Sequence, residues 1–544
     1  MNLQPRIREL LYNRGIQSEE DLAEFLSDKP QKTYDPFLLL NMEAGVDLIL
    51  SAIENDEKIC IYGDYDADGI TSTSVLMEVL SHLTKNLSYY IPKRFDEGYG
   101  LNKDALDKIK NAGVDLVITV DCGSVSVDEV EHAKLIGLKI LVTDHHTVVD
   151  KVADCLVINP VQPGCPYPFK QLAGVGVAFK LAQALAAETG LPKSVINRTL
   201  DLVGIGTIGD IVPLVDENRT LAKYGIRAIN VTKRPGLEAL IEGISLHKGN
   251  ISSENVSFVI VPHLNASGRM EDAKIAANLM MTKSEERIEA GVEKLITYNT
   301  ERKRVQSETF DVCREIVDAQ FIDDSFLVID LPDAHEGITG IVAGKLKETY
   351  NKPSIIVTPT GDGYLKGTGR SVEGVNIYNM LKENESLFER FGGHKAACGF
   401  TMKKEYLETL RENLNQQMET LLEQNPTILD ESLKADMVLD AEDVCLALVE
   451  DMKKLEPFGC DNPRPLVEVQ VRPTNLRRMG AQGQYTKFNG VLSDGREVQC
   501  VIFKNAAEYD ELLQKGENIS IIGSLNSQTW NGREYLQLTV MGAK

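Results

Sequence analysis

Short apolar runs, each ending on Gly or Asp and followed by a stretch of helical periodicity, organise the first part of the chain. Lys58–Tyr62, Leu116–Val120 and Lys139–Thr143 read as strands buried on both faces. This rhythm, from about residue 45 to 215, predicts a parallel α/β sheet. In such sheets ligands bind beyond the carboxyl ends of the strands. Residues 1 to about 44 pattern as short helices forming a lead-in. Residues 280–320 are strongly polar, with Glu301-Arg-Lys-Arg304 in the middle, and predict a long exposed helix joining two domains. A second α/β unit follows, with strands at Phe326–Asp330 and Ser354–Thr358. Beyond about residue 430 the pattern changes. Val467–Val471 alternates, Asn489–Phe503 reads as two strands around Ser493-Asp494-Gly495, and Asn531-Gly532 is a strong hairpin signal. A small all-β barrel of the OB-fold kind fits this tail. The expected organisation is a lead-in over 1–44, a parallel-sheet domain over 45–279, a connecting helix over 280–320, a second α/β domain over 321–428 and a barrel over 429–544.

Composition narrows the function classes. With 58 basic against 81 acidic residues the net charge is −23, which argues against a passive DNA-coating protein but leaves room for an enzyme with a local basic groove. The nine cysteines contain no C-x-x-C pair, so reduced thiols are expected and neither a disulfide frame nor a zinc ribbon. The first ten residues have no apolar signal core, and no apolar run approaches the ~18 residues needed to span a membrane. A cytoplasmic protein is the expectation.

The candidate chemistry lies where the strands end. The clusters are Gly63-Asp64-Tyr65-Asp66-Ala67-Asp68-Gly69, Val120-Asp121-Cys122-Gly123 and Thr143-Asp144-His145-His146, with a fourth at Gly204-Ile-Gly-Thr-Ile-Gly-Asp210. Taken singly, each has an ordinary explanation: Asp-Gly makes turns, and Asp after Gly caps helices. Gathered at one edge of a sheet, Asp66, Asp68, Asp121 and Asp210 would repel one another without a counter-charge, and two divalent metals would balance them. Carboxylate ligation with one imidazole suits Mn²⁺ or Mg²⁺, and paired metals activate water and clamp a phosphate.

D-Y-D-A-D-G, V-D-C-G and D-H-H, in this order and spacing, resemble the signature motifs of the DHH phosphoesterase superfamily. The resemblance implies a DHH domain, a DHH-associated domain and a pair of Mn²⁺ or Mg²⁺ ions. It implies Asp66, Asp68, Asp121, His145 and Asp210 as metal ligands, His146 as a contact to the scissile phosphate or a proton donor, and Asp144 as the residue orienting the histidines. Pyrophosphatases of the superfamily carry a ligand histidine four residues before the first ligand aspartate, where this chain has Tyr62. Gly367-Thr-Gly-Arg370-Ser371 and Phe391-Gly-Gly-His394 resemble the hallmark of the DHH-associated domain. Pro92–Gly100, Tyr167–Gly176, Leu264-Asn-Ala-Ser-Gly-Arg269 and Leu455-Glu-Pro-Phe-Gly459 resemble the RecJ branch of single-strand DNA exonucleases. That branch commonly has G-x-G-N-P where this chain has Gly459-Cys-Asp-Asn-Pro463, and Arg-Ile where it has His263-Leu264.

By this resemblance Arg94, Arg269, Thr368, Arg370, Ser371, Gly393 and His394 bind substrate, the arginines and hydroxyls taking a 5′-terminal phosphate. The activity implied is 5′→3′ hydrolysis of single-stranded DNA to mononucleotides, in recombination and repair. The implied partners are the 5′ end of single-stranded DNA, a single-strand binding protein and a RecQ-type helicase; the chain carries no clear oligomer signal, so a monomer is the default expectation. The barrel would add stacking faces and a basic track, with Arg477, Arg478 and Lys487 as candidates, while Trp530 reads equally as a core residue or a base platform. Two other readings stay open. A small-oligonucleotide phosphoesterase would lack the long helix and the barrel, and a non-catalytic replication scaffold would show eroded ligands.

Overall fold

Five consecutive apolar or β-branched residues, Leu116–Val120, are all buried and form a central strand, which both-faces burial in a parallel sheet requires. The structure, a computed structural model, describes residues 3–544 apart from 149–150, 362, 431–432, 481–482, 505 and 531, and Trp530 by its backbone only. It divides into two units: the first comprises Met1–Asn265, Ala273–Val292 and Leu433–Lys544, the second Ala266–Asp272 and Glu293–Ser432.

In the first unit β1 (Ile59–Tyr62), β2 (Leu87–Tyr90), β3 (Leu116–Val120), β4 (Lys139–Thr143) and β5 (Leu156–Ile158) form a five-stranded sheet in the order β2-β1-β3-β4-β5. Every pairing is parallel. The chain reverses its direction of travel between β1 and β3, which makes that gap the place where a doubly wound sheet opens a crevice. Helices α1 (Ala67–Leu80), α2 (Gly174–Thr189), α3 (Leu200–Gly209) and α4 (Asp216–Asn230) pack with the sheet and with one another. Gly204 and Gly225 allow α3 and α4 to touch backbone to backbone, since a Cβ on Gly204 would lie 2.6 Å from the Gly225 Cα.

A long helix, α5 (Glu285–Ile316), leads into the second unit. There β6 (Leu327–Asp330), β7 (Ser354–Pro359), β8 (Tyr364–Arg370), β9 (Phe388–His394) and β10 (Ala397–Lys403) form a sheet in the order β6-β7-β8-β10-β9, flanked by α6 (Glu336–Tyr350) and α7 (Leu407–Gln424). Only the β6–β7 pairing is parallel.

The C-terminal part returns to the first unit. β11 (Met437–Leu439), β12 (Val467–Met479), β13 (Tyr485–Val491), β14 (Glu497–Ile502), β15 (Ile519–Trp530) and β16 (Arg533–Ala543) run in the order β11-β12-β13-β14-β16-β15, and β12 also pairs with β15. That second pairing closes the sheet into a barrel, as an OB-fold requires. The hairpin expected at Asn531-Gly532 joins β15 to β16, although Asn531 itself lies outside the described residues. Ile7, Leu10, Leu11 and Leu22 of the lead-in helices share one apolar core with Leu448, Val467 and Phe488 of the C-terminal part. Arg219 on α4 binds these pieces together. Its guanidinium donates to the carbonyls of Phe25, Leu455, Glu456 and Pro457 and stacks on the Phe25 ring. Among the described residues, no helix is long and apolar enough to cross a membrane.

Candidate metal centre and substrate-binding residues

The turn after β1 folds around its own aspartates. Asp66 caps α1, its Oδ1 accepting from the amides of Asp68 at 2.9 Å and Gly69 at 3.1 Å. Asp68, in the first turn of α1, accepts from the Gly174 amide at 2.6 Å and the Val175 amide at 2.8 Å, at the N-terminus of α2. Asp121 follows β3 in a left-handed conformation with φ 62°, which Asp tolerates better than most residues. Asp144, His145 and His146 follow β4. Asp210 was expected at the same sheet edge, but the structure delivers it from a helix: it is the C-cap of α3. Its place depends on tight helix packing that strand periodicity does not report. A Cβ on Gly206 would lie 2.7 Å from the Val175 Cγ1 and 2.9 Å from the Asp68 Oδ1, so only glycine lets α3 come this close.

Ligating atoms gather around His145 and around Asp64 and Asp66, and Asp121, His145 and His146 form a further candidate group. His145 Nε2 lies 3.1 Å from Asp121 Oδ1, 3.5 Å from Asp210 Oδ2 and 3.9 Å from Asp68 Oδ2. Asp64, Asp66 and Asp121 present oxygens that all lie within 4.8 Å of one another. Asp121 is shared between the His145 cluster and the Asp64–Asp66 cluster. Asp64 Oδ1, Asp121 Oδ1, His145 Nε2 and Asp210 Oδ2 are buried without a hydrogen-bond partner. The His145–Asp121 contact is short but lacks hydrogen-bond geometry, so the lone pairs converge instead of pairing. Buried, convergent, oxygen-rich donors with one imidazole are what a hard divalent cation needs. Asp64 was not singled out from the sequence, although its i, i+2, i+4 spacing with Asp66 and Asp68 was a usable signal. Tyr62 is no ligand: its hydroxyl donates to the Gly100 carbonyl at 2.9 Å and accepts from Asn102.

The electrostatics agree. Burial and the Asp66 charge push Asp68 up to about 7, while burial and the charges of Asp68 and Asp66 push Asp210 up to about 9. Burial and neighbouring carboxylates raise Asp121 and Asp64 well above the carboxylate range. Burial and the His146 charge lower His145 to about 4, leaving it neutral and able to ligate. Without metal the folded chain therefore keeps carboxyl protons that the unfolded chain releases near the ordinary value of 3.8, and stability must fall as pH rises from there through about 9. In chelator the unfolding midpoint is expected to be lower at pH 8.5 than at pH 6. Added Mn²⁺ should raise it, and more so at pH 8.5. Calorimetry at the two pH values checks this, and a pH-independent midpoint in chelator would contradict it.

His146 stands at the rim, held from both sides. Asp144 Oδ1 accepts from His146 Nδ1 at 2.7 Å and from the amides of His145 at 2.7 Å and His146 at 3.1 Å. Burial raises the Asp144 carboxyl, but the His146 hydrogen bond, the charges of His146 and His145 and the Ser124 amide together outweigh it and hold the group below the carboxylate range. Burial lowers His146, but the Asp144 hydrogen bond and the charges of Asp144, Asp66 and Asp64 together raise it above the ordinary imidazole value. Thus Asp144 orients His146 directly and reaches His145 only through its backbone amide. The Tyr99 hydroxyl lies 3.0 Å from His146 Nε2, a contact that no short motif announced. Asn265 was also missed as a single residue: its Oδ1 accepts from the Ala67 amide at 2.7 Å, at the start of α1. Arg94 lies over the Tyr65 ring, 5.0 Å from its centroid.

In the second unit, sheet register brings the expected phosphate-binding residues together. Arg370 on β8 and His394 on β9 both lie opposite Ala397 of β10. Thr368 shares the face of Arg370, its hydroxyl 3.4 Å from that of Thr339 on α6. Glycines of α6 accommodate the arginine: a Cβ on Gly340 would lie 3.1 Å from an Arg370 guanidinium nitrogen. Ser371 donates to the Val375 carbonyl at 2.8 Å, leaving its oxygen lone pairs to accept. Gly393 adopts φ 141° and stands so close to the Ala397 carbonyl that a side chain would collide. Arg269 donates to the Gly337 carbonyl at 3.0 Å. In the barrel, Arg477 and Lys487 pair across β12 and β13, and Arg478 is engaged by Asp510. Beside them the Tyr485 and Phe503 rings meet edge to face at 5.4 Å, with Phe503 half exposed. The Trp530 side chain lies outside the described residues.

Comparison with known proteins matches this architecture. The DHH family N-terminal domain matches residues 58–207, the DHHA1 domain 323–420 and the RecJ OB domain 435–542. The single-stranded-DNA-specific exonuclease RecJ of Bacillus subtilis is 39% identical over 547 residues, a match spanning 100% of this chain and 68% of that protein. The crystal structure of RecJ from Thermus thermophilus in complex with Mn²⁺ aligns at a TM-score of 0.83 and 26% identity, covering 100% of this chain and 76% of that one. The complex of RecJ from the same organism with Mg²⁺ aligns at 0.77 and 25% identity, covering 100% and 75%. The chain belongs to the RecJ family of single-stranded-DNA-specific exonucleases.

Proposed function

We propose that this protein is a metal-dependent exonuclease that hydrolyses single-stranded DNA from its 5′ end to 5′-mononucleotides, in DNA recombination and repair. The observation that carries the reading is the convergence of buried, unpaired carboxylate oxygens and one imidazole nitrogen at the β1–β3 crevice, in a chain of this family. Asp68, Asp121, His145 and Asp210 would hold one Mn²⁺ or Mg²⁺, and Asp64, Asp66 and Asp121 the other. Such ions, when bound, acidify a water and neutralise phosphate charge. The protein supplies the rest. Asp144 and Tyr99 fix the His146 ring where it can contact the scissile phosphate or pass a proton to the leaving oxygen. The amides of α2 hold Asp68 in place. The complete ligand set weighs against a non-catalytic scaffold, and the long helix and barrel weigh against a small-oligonucleotide phosphoesterase.

Thr368, Arg370, Ser371, Gly393 and His394, with Arg269, form the proposed 5′-phosphate recognition set of the second unit. Arg94, in the first unit, is proposed as a further phosphate ligand. Arg370 gives the set a charged fork suited to a terminal phosphate. Arg370→Ala should weaken binding of a 5′-phosphorylated oligonucleotide by about 10- to 100-fold, the worth of a lost charged hydrogen bond, and leave a 5′-hydroxyl oligonucleotide unaffected. Fluorescence anisotropy with the two oligonucleotides checks this, and equal losses for both would place the 5′ phosphate elsewhere. On the barrel, Tyr485 and Phe503 supply a stacking face beside Arg477 and Lys487. Phe503→Ala should cost about 1–3 kcal/mol of binding to a long single strand while digestion of a very short oligomer stays unchanged. A single-strand binding protein and a RecQ-type helicase are the proposed partners, on family membership alone.

A further inference from the structure

A cavity of about 820 Å³ opens in the first unit, bounded by the C-terminal turn of α1, the N-terminal turn of α3, the end of α4 and the end of the helix Lys274–Met281. The metal ligands sit at the opposite ends of two of these elements: Asp68 begins α1 and Asp210 ends α3. The cavity begins at Met77, nine residues beyond Asp68 and so ~14 Å from it along the α1 axis. It is therefore a different place from the site described above, and the proposed reaction gives it no role.

Its lining is built in two layers. The apolar part of the lining comes from the half-buried Met77 and Met281 and the buried Met280, with Val231 exposed at the edge. Thioethers suit a flat ring, because sulfur packs favourably against aromatic edges. Arg234 crosses the wall, pairing with Glu78 at 2.8 Å and with Asp201 at 3.1 Å, so its charge is already answered. Arg198, Lys233 and Lys283 are exposed at the cavity, and none has an ion pair among the described residues. The four lining cations, Arg198, Lys233, Arg234 and Lys283, outnumber the two lining carboxylates, Glu78 and Asp201, in a chain carrying −23. Ser81, Asn197 and Thr282 add neutral hydrogen-bonding groups along the sides. The volume falls in the ~300–1,000 Å³ range of small-molecule sites, far more than inorganic phosphate needs.

We propose that this cavity is a second ligand site for a small organic anion with a planar apolar body, of the nucleoside monophosphate class. The methionines take the base, the rim cations take the phosphate, and the side groups take the sugar or base edges. Because the site lies away from the metal centre, its occupation is separable from product binding there.

The test uses the full chain loaded with Mn²⁺ and methyl-labelled methionine, titrated with dAMP and, separately, with inorganic phosphate. The account expects saturable shifts of the Met280 and Met281 methyl resonances with dAMP. The paired substitution Lys233→Glu and Lys283→Glu should weaken that response at least ten-fold, and Met281→Trp, which fills the cavity, should abolish the Met280 shift. Digestion of single-stranded DNA without added nucleotide should match the parent in both variants. Methyl resonances unmoved by dAMP, a response indifferent to both variants, or inorganic phosphate acting as strongly as dAMP would each overturn the proposal. So would shifts produced by an acidic peptide and not by dAMP.

Discussion

Asp121→Asn is expected to abolish digestion while leaving the metal-free protein at least as stable as the parent. The two halves of this expectation share one cause. Asp121 offers oxygens to both the His145 and the Asp64–Asp66 clusters of candidate ligands, so its neutralisation weakens both ions together. Loss of a single preorganised electrostatic contact costs on the order of 10²–10³ in kcat. Loss of a carboxylate shared by both clusters should reach at least the upper end of that range. Yet in the metal-free fold Asp121 is a buried carboxylate whose charged form is disfavoured by burial and by Asp68, Asp66 and Asp210. An amide of the same shape removes that repulsion, and Asn accepts the φ of 62° at this position. The unfolding midpoint in chelator should therefore hold or rise above neutral pH, and the rise produced by Mn²⁺ should shrink. Calorimetry with and without metal, beside a nuclease assay, reads both. A variant that is destabilised in chelator would show that Asp121 is a packing residue first.

His146→Ala has the second largest expected effect, about 10²–10⁴ in kcat if the ring acts on the leaving group. The neighbouring groups make the loss specific. Asp144 and Tyr99 both aim at this ring, whereas His145 faces the carboxylates. Removing His146 should therefore leave Mn²⁺ binding, followed by calorimetric titration, close to the parent. His145→Ala should lose binding and turnover together. If the two substitutions lowered metal affinity equally, His146 would be a ligand and not a group working on the substrate.

The parts of this architecture that were legible in the sequence are those written in local pattern. β3 and β4 begin and end where their apolar runs do, because a strand buried on both faces needs an unbroken run. The D-x-D-x-D turn and the D-H-H cluster follow such strands directly, so their convergence could be anticipated. Asp210 could not be placed in the same way. It reaches the centre from the end of a helix, through a contact between α3 and Asp68 that depends on the absence of a side chain at Gly206. The Gly204-x-Gly206 spacing carried that information only as a hint of close packing. Gly393 and His394 read locally as a loop, yet they end a strand, because β10 supplies the partner register from further along the chain. Tyr99 is the plainest omission. Nothing in Gly98-Tyr99-Gly100 indicates a partner 47 positions away, and only the fold brings its hydroxyl to His146.

Digestion of end-labelled DNA tests the central claim most directly. With Mn²⁺ present, a 5′-labelled single strand should release its label as a mononucleotide from the start of the reaction, a blunt duplex of the same sequence should be largely spared, and chelator should stop the reaction. Release that survives chelation, or equal digestion of strand and duplex, would contradict it.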